Sequence, residues 1–162
     1  MSINTFSVST KVNGLETRVE VSGYVSEAAN FSSIKTTPVM KISLRNVSGL
    51  NSIGTRTWCQ WLNSLSGCSE VWIEAAPVLF VKAFNQVMGS LTPNCIIQSF
   101  YVPYFSEATG ESQEVLYSLG TDYNLKGEFK SKEILDSKGK AMEVDVVLEW
   151  YLVFLKNREK SI

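Results

Sequence analysis

In the stretch LNSIGTRTW, residues 50–58, Asn51 and Ser52 stand side by side and Gly54 follows two positions later. The stretch lies between an apolar run, KISLRNVSG, and a tryptophan-rich segment, CQWLNSL. The chemistry open to such a junction is that of a hydroxyl at the start of a helix. Asn51 or Ser52 is expected to cap that helix, its side-chain oxygen accepting a backbone N–H at a gain of about 1 kcal/mol. The same geometry suits a phosphate ester on Ser52. A phosphate brings about −1.5 to −2 charges, and at a helix N-terminus these meet unpaired N–H groups and the positive end of the helix dipole. Arg45 and Arg56 flank the junction in sequence, and a guanidinium there suits a phosphate or a partner's carboxylate.

The remaining chemical inventory is narrow. The chain contains no histidine, which removes Ser-His-Asp and Cys-His catalysis, imidazole-ligated metals and the usual general base near neutral pH. An enzyme is not expected. No phosphate-cradling glycine loop of the GxxxxGK or GxGxxG kind occurs. Cys59, Cys68 and Cys95 form an odd, scattered set without Cys-x-x-Cys spacing, which reads as reduced thiols. Glu107, Glu111 and Glu114 suggest a carboxylate site, but with no other metal ligand nearby they read as a solvated acidic face. Of Trp58, Trp61, Trp72 and Trp150, three lie on core-facing patterns and read as packing groups.

The elements that must position the junction follow from hydrophobic period. Residues 6–12 and 15–25 alternate apolar and polar around Asn13-Gly14, which predicts a hairpin. Residues 26–34 suggest a short helix capped by Ser26, and Pro38 precedes a third strand, VMKISLRNV. After the junction, Trp58, Trp61, Leu62 and Leu65 recur at helical spacing and Gly67 stops the helix. Residues 71–75 read as a strand. Pro77 suits the first turn of a second helix with the stripe Phe80, Ala83, Phe84, Val87 and Met88, and Gly89 is placed for its C-terminal end. Residues 95–105 read as one strand ended by Pro103. Strand–helix–strand–helix–strand with short links, preceded by a hairpin, predicts an α/β fold with a mixed β-sheet. Beyond residue 105 the chain turns polar and glycine-punctuated, as a β-ribbon too small to bury a core alone. Val144, Val147, Leu148, Tyr151, Leu152 and Leu155 then fit a helical stripe, while every even position from Met142 to Phe154 is also apolar, as in a strand. The length without glycine or proline favours a helix over residues 147–158, with Trp150, Val153 and Phe154 off its main stripe.

At 162 residues the chain is long enough for a core that buries roughly 70% of its unfolded surface. Fifteen basic residues against sixteen acidic give a net charge of −1, so neither a basic surplus for nucleic acid nor a charged tail is expected. Met1 is followed by SINTFSVST, without the basic and apolar regions of a secretory leader, and no apolar run reaches the roughly 20 residues that span a bilayer. A cytoplasmic protein without membrane insertion is expected.

With strand, Asn-Ser-x-Gly, helix, strand and helix in this order, the sequence resembles the STAS domains (sulfate transporter and anti-sigma factor antagonist). The matching stretches are ISLRNVSGLNSIGTRTWCQWLNSL, SEVWIEAAP and VLFVKAFNQVMGSL, and the resemblance covers roughly residues 5–105. It implies a STAS-like domain over 1–105, and the residues beyond it read as a ribbon-like module over 106–142 and a C-terminal helix over 143–162 that packs on the core or the ribbon. In the anti-sigma factor antagonists of this family the junction reads Asp-Ser-x-Gly, and a partner kinase phosphorylates the serine to release the anti-sigma factor. Ser52 matches that serine and Gly54 that glycine, while Asn51 replaces the acid, keeping its hydrogen-bonding shape without its charge. The polar tail also resembles a zinc-ribbon knuckle without its ligands: Ser106 and Thr109 stand where cysteines would, and LDSKG, residues 135–139, has a similar turn. Structural zinc takes thiolates or imidazoles, so no metal and no cofactor are expected.

The resemblance thus implies a non-enzymatic signalling protein that binds a regulatory partner, an anti-sigma factor or a serine-kinase-like protein. Its contact surface would be Asn51, Ser52, Ile53, Gly54, Thr55 and Arg56, with Ser52 as the phosphorylated residue. Two other readings are a constitutive STAS scaffold, for instance a subunit of a lipid-transport complex, and a module that binds a small ligand.

Overall fold

A computed structural model describes residues 5–156. Gly14, with φ of +59°, opens a two-residue loop with Leu15 between β1 (Ser7–Asn13) and β2 (Glu16–Val25). A glycine at the first central position is what a hairpin turn of this hand requires. Strand β2 buries alternate residues, among them Val19, Val21 and Val25, and leaves Arg18, Glu20 and Tyr24 exposed. The sheet is therefore covered on one face.

Residues 26–34 do not form the expected helix. Ser26 closes a single turn with Ala29, and the Asn30 side chain accepts the Ser32 N–H. Such local side-chain bonds offer the backbone an alternative to the helical ladder. The segment delivers Phe31 to the core and leads into β3 (Val39–Leu50), which pairs parallel with β2. Helix α1 (Ser52–Ser64) follows, burying Trp58, Trp61 and Leu62, with Leu65 buried at its C-cap. β4 (Glu70–Glu74), α2 (Val78–Gln86) and β5 (Cys95–Ile97) complete a five-stranded sheet of order β1-β2-β3-β4-β5, parallel from β2 onward.

The α2 stripe is shorter than predicted. Phe80, Val81 and Phe84 are buried, whereas Val87 caps the helix exposed and Met88 is fully exposed. Gly89 has φ of +84° but lies two residues past that cap. Trp72 also departs from expectation: it lies on the open face of β4, half-buried, donating to Glu70.

The predicted single strand 95–105 is two strands. The chain leaves the first sheet at Gln98, whose N–H still bonds Ile73, and continues as β6 (Ser99–Phe105). β6 is central in a second, antiparallel sheet, flanked by β7 (Ser112–Ser118) and β8 (Glu143–Val144). Pro103 does not end it: paired opposite Glu114, it offers its carbonyl to the Asp145 N–H. Ala76 bridges to Phe100 and ties the first sheet's edge to β6. The protein is thus α/β, a mixed five-stranded sheet with helices beside a three-stranded sheet.

A chain of aromatic rings crosses both sheets: Phe6, Phe31, Trp61, Trp58, Phe80, Phe84, Phe154, Phe100, Tyr117 and Phe129 succeed one another in ring contact. Each such pair contributes about 0.5–1.5 kcal/mol beyond its buried area.

The predicted helix 147–158 is broken into α3 (Leu148–Tyr151) and α4 (Val153–Lys156), and residues 157 and 158 lie outside the described part. The break has a cause on α2. The Asn85 amide donates to the Tyr151 carbonyl and accepts from the Phe154 N–H, both at 2.8 Å. Those two groups would otherwise serve the ladder of a continuous helix, and a side chain inserted there kinks it. Trp150 is left 73% exposed. Among the described residues, no helix is long and apolar enough to cross a membrane.

Candidate functional site

The junction is built by three backbone encounters. Val25 and Leu50 are register partners at the ends of β2 and β3, and the Val25 carbonyl accepts the Asn51 N–H at 3.2 Å. Asn51 is extended, with φ of −108°, and its Oδ1 accepts the Gly54 N–H at 2.8 Å. Of the two candidate caps, Asn51 serves. Gly54 is fixed by proximity: a Cβ there would lie 1.9 Å from the Val25 carbonyl oxygen. Only glycine lets the first turn of α1 approach the end of β2 so closely.

This arrangement sorts the six predicted surface residues. Ser52, Ile53 and Arg56 are exposed, Asn51 and Thr55 are half-buried, and Gly54 is buried. Thr55 turns its hydroxyl back to the Asn51 carbonyl at 2.8 Å. Ser52, freed from capping, is the first helical residue, and among the described residues no hydrogen bond engages its hydroxyl.

Ser52 and Arg56 border a groove of about 520 Å³ between α1 and α2, where they are joined by Cys59, Leu79, Lys82 and Met88. Burial pushes the Cys59 thiol above its ordinary value, which keeps it from acting as a thiolate. Arg45 does not flank this corner. It lies on β3 five residues before Leu50, about 16 Å back along the strand at about 3.3 Å per residue.

Two residues of the corner escaped sequence reasoning. Lys82 comes from α2, and the second cation of the groove is therefore not local in sequence. Glu27 comes from the loop after β2, and its Oε2 accepts from Asn51 Nδ2 at 3.1 Å. Hydrogen bonding to its own backbone N–H, and then to Asn51, holds the Glu27 carboxyl below the usual range. The parallel register that pairs Val25 with Leu50 brings the loop residue Glu27, two positions past the end of β2, to Asn51, the residue that follows β3. That register was the signal available, but it follows only once β2 and β3 are known to be neighbours.

The turns at Ser106 and at residues 135–139 do face each other. Asp136 is buried; its Oδ1 accepts the Lys138 and Lys140 N–H groups at 2.9 Å each, and its Oδ2 accepts Ser106 Oγ at 2.6 Å and Thr109 Oγ1 at 3.4 Å. Hydrogen bonding, led by the Ser106 hydroxyl, holds its carboxyl below the usual range. With four donors satisfied, the carboxylate works as a clip between turns. Glu111 receives the Ser137 N–H and hydroxyl, while Glu107 and Glu114 are exposed, so the three glutamates do not converge. Among the described residues no three metal-ligating side chains are grouped.

Comparison with family models, curated proteins and solved structures gives no match to this chain.

Proposed function

We propose that this protein is a non-enzymatic, cytoplasmic signalling protein of STAS type, resembling an anti-sigma factor antagonist. It docks a regulatory protein, an anti-sigma factor or serine-kinase-like partner, at the corner of residues 51–56, and phosphorylation of Ser52 controls the docking. The observation that carries this reading is the state of Ser52. It is exposed at the first position of a 13-residue helix, with the capping duty taken by Asn51. A phosphate there is tolerated by the helix terminus and stands one turn from Arg56, on the same side of α1. Docked protein at the same corner would meet a new dianion. Glu27 adds support, because it places a carboxylate on Asn51 where the resemblance leads one to expect an acid.

The test is an affinity pull-down from native lysate with wild type, Ser52→Ala and Ser52→Asp, read by mass spectrometry with phosphosite mapping. A partner retained by wild type and Ser52→Ala but lost by Ser52→Asp is expected. The same partner bound by all three, with Ser52 unmodified, overturns the switch and leaves a constitutive scaffold.

A further inference from the structure

The groove beside Ser52 has a chemical polarity of its own. Its lining carries two cations, Arg56 from α1 and Lys82 from α2, and no carboxylate. Neither cation takes part in a salt bridge among the described residues, whose three ion pairs all lie elsewhere. Apolar surface accompanies them: Leu79 on the wall, Val87 39% exposed and Met88 fully exposed at the end of α2. A methionine left bare at a groove mouth is a soft, adaptable contact. Glu27 does not line the groove; it is bonded to Asn51 at the other side of the corner.

We infer that the α1–α2 groove receives an acidic, amphipathic segment of a partner protein, with carboxylates paired to Arg56 and Lys82 and apolar side chains set against Leu79, Val87 and Met88. Charge complementarity selects the occupant. Two unpaired cations beside apolar surface suit a helix or strand that alternates Asp or Glu with Leu, Ile or Phe, and they repel a basic one. The inference deepens the proposed function by giving the partner's docking segment a chemistry. It also gives phosphorylation a local action, since a phosphate on Ser52 would compete for the same two cations.

The experiment pans a displayed library of random peptides against wild type and against the double variant Arg56→Glu, Lys82→Glu, with Arg18→Glu as a charge control on the open sheet face. Wild type and the control are expected to enrich peptides carrying Asp or Glu among large apolar residues. A selected peptide, measured by fluorescence anisotropy, is expected to bind the double variant about tenfold more weakly, equivalent to about 1.4 kcal/mol. All the altered side chains are exposed or border the open groove, so circular dichroism is expected to report an unchanged fold. Failure to enrich, enrichment without net negative charge, or equal affinity for the double variant overturns the proposal. So does wild-type binding to phosphatidylglycerol vesicles, abolished in the double variant, in the absence of peptide enrichment. Ser52→Asp separates the two readings: if it binds the selected peptide as wild type does, the switch fails while the acidic-segment groove stands.

Discussion

Asn51 and Asp136 use one device to opposite ends. Each is a short polar side chain that gathers nearby backbone N–H groups, the first to start α1 and the second to hold a tight turn. At Asp136 the rest of the carboxylate is consumed as well, by Ser106 and Thr109 from the facing turn, and both Asp136 and Ser106 are buried. At Asn51 the remaining amide reaches Glu27 on the surface, and the next residue, Ser52, is exposed beside an open groove. A saturated hydrogen-bonding centre closes a joint. A cap that relieves its neighbour of duty leaves a hydroxyl available for other chemistry. The difference lies in what surrounds the polar residue, not in its type.

The contrast breaks most severely at Gly54. A methyl group there would stand 1.9 Å from the Val25 carbonyl oxygen, which is backbone and cannot rotate away. Gly54→Ala must push α1 off the end of β2, at a cost of about 3 kcal/mol. Urea unfolding is expected to show the corresponding drop in midpoint. A midpoint within error of wild type would mean that the corner is not held by this approach.

The second effect separates the clip from the cap by pH. The folded Asp136 carboxyl titrates below its ordinary 3.8, so it holds fewer protons folded than unfolded. Its stabilisation is therefore complete above about pH 4 and is lost as pH falls through the lower, folded value. Asp136→Asn is expected to lower the Tm at neutral pH, and its difference from wild type is expected to shrink on acidification. Asn51→Ala is expected to keep a pH-independent loss, from the bond to Gly54, and only a lesser part that shrinks on acidification, from the bond that helps hold the Glu27 carboxyl low. Thermal melts between about pH 7 and about pH 3 check both, and parallel curves for wild type and Asp136→Asn would remove the carboxylate from the clip.

How much of this was legible in the chain follows from the range of each interaction. Local signals read well: the Asn13-Gly14 hairpin, the stripe of Trp58, Trp61, Leu62 and Leu65, and the Asn-Ser-x-Gly junction are set by residues within one or two turns of each other. Two of the errors have a long-range cause. Residues 147–158 carry a good helical pattern, but the amide of Asn85, some 66 residues away, cuts the ladder at Tyr151. Residues 95–105 carry the pattern of one strand, but Ala76 captures Phe100 and the chain passes from one sheet to another. Trp72 sits in a strand whose neighbours Val71 and Ile73 face the core, so alternation itself should have placed it outward. At the candidate site the serine and its cap were readable, whereas Glu27 and Lys82 required knowing that β2 adjoins β3 and that α2 adjoins α1.

The smallest expected effect bears on why asparagine, not aspartate, precedes Ser52. Asn51→Ala loses the Oδ1 bond to Gly54 and is expected to cost about 1 kcal/mol. Aspartate would keep that bond and favour the helix dipole, yet its second oxygen would face Glu27 Oε2, which now accepts from Asn51 Nδ2 at 3.1 Å. Two carboxylates would then share one hydrogen-bonding position, and each would raise the other's pKa. Asn51→Asp is expected to melt below wild type at neutral pH, and Glu27→Gln in that background is expected to recover the loss by restoring a donor between the two side chains. If Asn51→Asp alone matches wild type, Glu27 is not what selects the amide. If the pair behaves as expected, the corner carries one negative charge by construction, supplied by Glu27 instead of by the residue before the serine.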